Sequence, residues 1–399
     1  MRSEIIRRWR TRAVNWIADH PGSVPGRVAA LRFGRPPRGP GRVLAAGDRP
    51  IRVLVAPANH AGQAHAWCGA LEDADPTVSA RNYAIEAGGF GFPSDLVVSR
   101  AVFHNSRAWQ RAQLAAARDF THVLVESFIP PFGRLFRRDL ERQLASLGPG
   151  VDVAFMCHGT DVRRPSLNRS RTPLAPFRDD EMTKRIEVLA LRNLELIDRA
   201  NRPVFVSTPD LLDDVPAGIW CPVVVQPERW SLPRRHATGP LRVVHAPSKA
   251  GAKGSALIEP VLERLARAGL LEYTPLRGIP NDRMPAVLAE ADVVVDQFSV
   301  GSYGVAACEA MAAGCVVVSH VTDRVRELVR DHAGIELPIV EAGPQTLEAV
   351  LTELAADPGR REELGRTGAM FVSSVHDGRR SASALLNEWI APSATRPTI

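Results

Sequence analysis

The chain has 399 residues, 45% of them hydrophobic, long enough to bury large cores and, by length, to form two domains. Its net charge of +6 is concentrated at one end: residues 1–50 hold 11 arginines against three acids (Glu4, Asp19 and Asp48), and the remainder is slightly acidic. That distribution excludes a generally basic nucleic-acid-binding surface on the folded body. The five cysteines (Cys68, Cys157, Cys221, Cys308 and Cys315) are odd in number and scattered, with no zinc-site spacing, so they read as reduced core residues of a cytosolic protein. No apolar run approaches the roughly 20 residues of a membrane span, and no cleavable signal is evident.

In chain order, residues 3–19 read as a helix. Ile5, Ile6, Trp9, Ala13, Trp16 and Ile17 fall on one face and arginines lie outside it, as in a segment that sits on an acidic membrane or docks on the protein body. Residues 1–41 form this basic helix and a Pro/Gly linker. Ile51–Ala56 reads as a buried strand, followed by a loop with Gly62 and Gln63 and then a helix. Strand-like runs at 95–102 and 120–125 alternate with helical stretches at 106–118 and 135–147, the pattern of a parallel sheet. The strand at 151–157 delivers His158-Gly-Thr-Asp161 at its C-terminal end, where ligands of open α/β sheets bind. A capped turn is the structural alternative for His158. Arg163 and Arg164 read as a solvated loop. A long helix over 179–200, strands at 203–207 and 221–226, and the Pro/Arg-rich stretch 227–240 close a first domain spanning 50–226.

A second domain, 240–373, opens with a strand at Leu241–His245. Ser248, Lys249, Gly251, Lys253 and Gly254 then precede a helix from Ser255. Only three of the 50 basic residues are lysines, and two of those lie in this loop. Lysine is a compact charge suited to phosphate, and a helix N-terminus favours the same anion. The order is not that of a Walker P-loop. After a strand at 270–276 and the loop Arg277-Gly-Ile279-Pro comes an organising stretch. Val293–Val295 forms a buried strand, Gln297, Ser302, Tyr303 and Gly304 lie in a glycine loop, Val305–Ala313 is a helix, Gly314 stops it, and 315–319 is the next strand. Glu309 stands among small apolar neighbours, which suggests that it serves a partner such as a hydroxyl pair. Helix 323–330, strand 335–339, helices near 344–356 and 359–372, and a final helix over 374–391 complete the chain.

Tyr303-Gly304, followed by Glu309-Ala-Met-Ala-Ala-Gly314 and a valine strand, resembles the donor-site signature of GT-B-fold retaining glycosyltransferases, and most of all the nucleotide-sugar-dependent family four. The resemblance implies an α/β fold of two Rossmann-like doubly wound domains facing a cleft, with the C-terminal helix crossing back to the first. It implies transfer of a sugar from a nucleotide diphosphate sugar (UDP or GDP) to an acceptor hydroxyl of a glycan, lipid-linked precursor or small metabolite, with retention, no cofactor and no metal. His158, Asp161, Lys253 and Glu309 would be catalytic. Glu309 would hold the ribose, and His158 the sugar. Asp161 or the leaving phosphate would take the acceptor's proton. His245, Ser248, Lys249, Gly254, Ile279, Gln297, Ser302, Tyr303 and Gly304 would line the donor site, with Gly62 and Gln63 in a loop facing phosphate and acceptor. The family carries a first glutamate eight positions before its second, where this chain has Gly301. A non-catalytic sugar-nucleotide binder, a sugar-nucleotide 2-epimerase of the same fold, and a membrane- or nucleic-acid-binding module driven by the arginine extension remain open, as does cytoplasmic placement on an inner membrane face.

Overall fold

Apolar strands alternating with helices build two parallel α/β sheets in a computed structural model, which describes residues 13, 14, 16, 17, 20, 23–234, 239–247 and 250–391. Ser248 and Lys249, most of the expected helix over 3–19 and residues from Pro392 onward lie outside the described residues. Two compact units are present among them, one reaching to Ala87 and including Pro93–Phe155, the other combining Gly88–Phe92 with Met156 onward. Among the described residues no helix is long and apolar enough to cross a membrane.

Strands β1 (Ile51–Ala56), β2 (Val78–Ile85), β3 (Leu96–Val98) and β4 (His122–Glu126) of the first unit and β5 (Asp152–Cys157), in which the first unit ends, lie in the order β3-β2-β1-β4-β5. β1 pairs in parallel with β2 (Val53 opposite Ala80) and with β4 (Val55 opposite Leu124). Val53–Ala56 and Val123–Val125 are buried without alternation, as expected of central parallel strands covered on both faces. Helix α1 (Gln63–Ala74) buries Trp67, Cys68 and Leu71. β2 has no sequence signal of its own, because Arg81 and Asn82 interrupt its apolar run. Asn82 is nonetheless buried, its amide donating to Ser94 Oγ at 3.0 Å and its carbonyl accepting from the Asp95 N–H at 3.2 Å.

The expected strand over 95–102 is cut short because Ser99 caps helix α2 (Arg100–Asn105), accepting from the Val102 N–H. Helix α3 (Arg107–Ala117) follows, capped by Ser106. The expected helix over 135–147 is divided: Phe136, Arg137 and Arg138 take left-handed φ of 50°, 59° and 66°, and only Leu140–Ala145 is α-helical.

In the second unit, helix α4 (Glu181–Ala200) starts at the Asp180 cap, and β6 (Val204–Val206) pairs in parallel with β7 (Ile219–Trp220). The strand expected over 221–226 does not form. Pro222 has no N–H to give a ladder, and the backbone here bonds to C-terminal residues instead: Val225 N–H to the His376 carbonyl at 2.7 Å, and Ser381 Oγ to the Pro222 carbonyl at 2.7 Å. A five-stranded sheet has the order β12-β11-β10-β8-β9, formed by β8 (Leu241–His245), β9 (Leu271–Pro275), β10 (Val293–Val295), β11 (Val316–Ser319) and β12 (Val340–Glu341). β12 replaces the strand expected at 335–339. Helix α5 (Ser255–Arg267) turns Ser255, Ile258, Leu262 and Leu265 inward at helical spacing, onto a core with Val243, Val293 and Val316. The C-terminal helix Arg379–Leu385 packs on β7, and in the turn after it Trp389 lies 6.4 Å from Phe205 of β6 between ring centroids.

Candidate functional site

The organising stretch folds as its residue types dictate. β10 is all valine and fully buried, and the loop after it turns at Gly301, whose φ is +77°. Helix α6 (Val305–Ala312) begins at Gly304 with no side chain capping it, so its first N–H groups face the loop. It ends at Gly314 (φ +73°), where the Gly314 N–H reaches the Met311 carbonyl at 2.9 Å and the Cys315 N–H reaches Ala310 at 3.0 Å, a Schellman closure. Small residues are required here because helix α7 (Pro358–Val375) lies very close. A Cβ on Gly365 would meet the Gly314 carbonyl oxygen at 2.3 Å. Glu309 is therefore a carboxylate on an otherwise apolar helix. It is partly buried and hydrogen-bonded to Asn281, and desolvation pushes its pKa up from 4.5 to about 7 against the opposing pull of Arg229, Asn281 and Lys253.

The lysine loop meets this stretch. The Lys253 ammonium pairs with the Asp296 carboxylate, and the Lys253 carbonyl accepts from the Phe298 N–H at 3.0 Å. Gly254 has φ +72°, and a Cβ there would sit 2.6 Å from Ser299 Oγ, so only glycine permits the approach. Gln297 is buried, its side-chain oxygen accepting from the Val300 N–H at 3.0 Å. His245 is fully buried with both ring nitrogens engaged, one with the Val295 carbonyl at 2.7 Å and the other with Ser255 Oγ at 2.8 Å. It ties β8 to β10 and to the start of α5. Ile279 lies partly buried in the loop after β9.

His158 follows β5, with its backbone N–H donating to Asp161 at 2.9 Å, and the Gly159 N–H donates to the same carboxylate at 2.6 Å. Asp161 thus closes a turn with both oxygens. Arg163 and Arg164 are not a solvated loop. Arg163 is buried and forks onto Asp210 through Nε at 2.9 Å and Nη2 at 2.6 Å, and Arg164 pairs with Asp214 at 2.9 Å. The other Asp210 oxygen accepts from Ser302 Oγ at 2.7 Å, and Asn168 Nδ2 donates to the Val300 carbonyl at 3.0 Å. These bonds bring the His158 segment against the glycine loop. Tyr303 is buried beside Phe371, its hydroxyl hydrogen-bonded to His376 Nε2 at 3.2 Å. Gly62 and Gln63 belong to the first unit, where Gly62 (φ +78°) precedes α1 and Gln63 is buried.

Lys253, Gly254, Gln297, Ser302, Gly304 and Glu309 are therefore gathered at the C-terminal ends of β8 and β10. Residues without a sequence signal complete the group. Asp210 lay in a plain strand-to-helix turn, Arg229 in a stretch that reads as a linker, and Asn281 at the start of a short helix, where Arg229 Nη2 donates to its side-chain oxygen at 2.6 Å. Gly301 cannot simply regain a glutamate, because a Cβ there would lie 2.8 Å from Thr322 Cγ2 in a left-handed backbone. Gly301→Glu is expected to lower stability by about 1–3 kcal/mol and to gain no nucleotide affinity. Unchanged thermal denaturation with tighter nucleotide-sugar binding would contradict this.

Residues 266–370 match the model of the family described as "Glycosyl transferases group 1". No curated protein sequence matches the chain. Among solved structures, sucrose-phosphate synthase from Thermosynechococcus elongatus is similar with a TM-score of 0.54 at 15% identity, covering 87% of this chain and 100% of that one. Anabaena HepE in complex with UDP and glucose is similar with a TM-score of 0.52 at 11% identity, covering 85% of this chain and 99% of that one. At such identities these likenesses show the fold. Residues 266–370 thus match a glycosyl transferases group 1 model, and the two-sheet α/β fold is similar to that of sucrose-phosphate synthase and HepE.

Proposed function

We propose that the protein transfers a sugar from a nucleoside diphosphate sugar to an acceptor hydroxyl with retention of configuration. The observation that carries this is the convergence of Lys253, Glu309 and the uncapped start of α6 at the ends of β8 and β10. The bond between the sugar's anomeric carbon and the diphosphate breaks with its electron pair going to phosphate oxygen. Lys253 and the α6 N-terminus stabilise that charge, and Glu309 accepts hydrogen bonds from the ribose hydroxyls. The acceptor oxygen bonds to the same face of the anomeric carbon. Its proton passes to the leaving phosphate or to Asp161, whose oxygens keep lone pairs although each accepts a backbone N–H. His158 is placed beside the sugar in this reading. Charge neutralisation by lysine and helix dipole asks for no metal, so turnover insensitive to chelator is expected.

The test is a thermal-shift panel of UDP, GDP and ADP and their sugars on the wild type and Lys253→Ala. A ligand at a hundredfold excess over its Kd stabilises by about 2.7 kcal/mol. A shift with one nucleotide series that Lys253→Ala removes supports the donor site; no shift with any of them sinks it. A non-catalytic sugar-nucleotide binder is the second reading, favoured by Gly301, and it would bind the nucleotide without turnover toward any acceptor.

We also propose peripheral contact with an acidic membrane. Val24, Val28, Leu31 and Phe136 are exposed in the first unit, and Arg27 and Arg107 add, after desolvation, to the depression of the Arg134 guanidinium. Val24, Val28 and Leu31 recur at helical spacing with Arg27 among them, and exposed apolar side chains beside arginine suit anionic lipid. Co-sedimentation with phosphatidylglycerol vesicles but not phosphatidylcholine vesicles is expected, lost in Leu31→Ser/Phe136→Ser. Equal pelleting with both lipids would refute it.

A further inference from the structure

We infer that Asp296 is the sugar-recognising carboxylate of this chain, accepting a hydrogen bond from a hydroxyl of the donor's sugar where Gly301 offers no side chain. The inference rests on the donor-site reading above. Asp296 is the residue immediately after β10, at the carboxyl end of a central parallel strand, the side on which open α/β sheets bind ligands. It is only 3% exposed. One of its oxygens holds Lys253, while Oδ2 is buried with no hydrogen-bond partner among the described residues. A buried carboxylate oxygen left unpaired is unfavourable, and native structures rarely keep one without water or a ligand group to satisfy it.

The chemistry of that group follows from charge. A diphosphate oxygen would be repelled by Asp296, whereas a sugar hydroxyl donates to it. The neighbouring loops leave few substitutes, because a side chain at Gly254 would collide with Ser299 and one at Gly301 with Thr322. Lys253 has three donors on one ammonium and can hold Asp296 and a phosphate oxygen together. Asp296 therefore acts in two directions. It opposes a bare nucleoside diphosphate by adding negative charge and occupying Lys253, and it favours the intact donor by meeting the hydroxyl. The site then prefers substrate over the nucleotide product, which eases product release.

The experiment is calorimetric titration of the full chain with UDP, GDP and ADP and the glucose derivative of each, using the wild type and Asp296→Asn. The expected result is that Asp296→Asn binds the nucleoside diphosphate as tightly as the wild type or more so, while the added affinity of the sugar form falls about tenfold, the size of one hydrogen bond to a charged acceptor. An equal loss for both ligands, or no change in either, overturns the inference. A wild-type measurement guards against a misfolded variant: among nucleotide sugars lacking one hydroxyl each, a single position should lose about tenfold, and uniform binding across the series overturns it equally. Absence of all nucleotide binding in the wild type removes the donor-site reading and this inference together, whereas normal binding with an equal response removes the inference alone.

Discussion

Replacing Asp210 with alanine is expected to cost about 3–5 kcal/mol of stability, the scale for breaking a buried ion pair on one side. The side chains of Arg163 and Asp210 are only 11% and 12% exposed, and Arg163 forks onto one carboxylate oxygen while Ser302 binds the other. Alanine leaves a buried guanidinium without its counter-charge and Ser302 without its acceptor. The Arg330–Glu336 pair, by contrast, is exposed on both sides, and a Glu336→Ala change there should cost no more than about 1 kcal/mol. A double change, Arg163→Met/Asp210→Leu, should recover much of the loss, because the penalty lies in the orphaned charge and not in the missing attraction. Urea denaturation of the three variants checks this, and a loss below about 1 kcal/mol for Asp210→Ala would mean that the pair is not buried in solution. Burial raises the Asp210 pKa, but Arg163 and the hydrogen bonds from Ser302 and Thr208 outweigh it and hold it below its ordinary 3.8. A depressed carboxylate stabilises the native state above its unfolded pKa and loses that contribution as pH falls through the folded value. The Asp210 contribution should therefore be constant at neutral pH and disappear only in acid below 3.8.

Glu309→Gln is expected to separate function from stability in opposite directions. Desolvation raises the Glu309 pKa from 4.5 to about 7, so the folded chain binds a proton that the unfolded chain has already released. Native stability therefore falls as pH rises through this window, and at pH 8 the wild type carries the cost of a desolvated charge. Glutamine keeps the shape and the Asn281 contact without that charge, so the ligand-free variant should melt at a higher temperature than the wild type at pH 8. The charge is needed when ribose hydroxyls arrive as donors. Nucleotide affinity of the wild type should drop about tenfold per pH unit below about 7, and the variant should bind weakly with no such slope between pH 6.5 and 8.5. Parallel thermal melts and titrations at these pH values decide it. A variant that loses stability and keeps the wild-type affinity would assign Glu309 to the packing of α6.

The parts of the site that were legible in the sequence are those with local signals. Lys253 stood out because lysines are scarce, Glu309 because its neighbours are small and apolar, and the glycine loop because a valine strand and a breaker-free helix flank it. Strands whose sequence alternation or apolar run was interrupted were not legible. β2 carries a buried asparagine satisfied by residues about a dozen positions away, and 221–226 is apolar enough for a strand but delivers its backbone to His376 and Ser381 instead.

What the sequence by itself determined is the α/β alternation, the place of the strand-end loops and the prominence of Lys253 and Glu309, because helix and strand periodicity and residue scarcity act over a few positions. Only the tertiary structure decided the roles of the charged remainder. Arg163 meets Asp210 across 47 positions, Ser302 meets Asp210 across 92, and Lys253 meets Asp296 across 43. In a chain with 47 arginines, Arg163 taken alone reads as a solvated surface charge. The difference is burial, which desolvates a charge and makes it require a specific partner, and burial at such separations is set by how the loops and helices pack rather than by any local pattern.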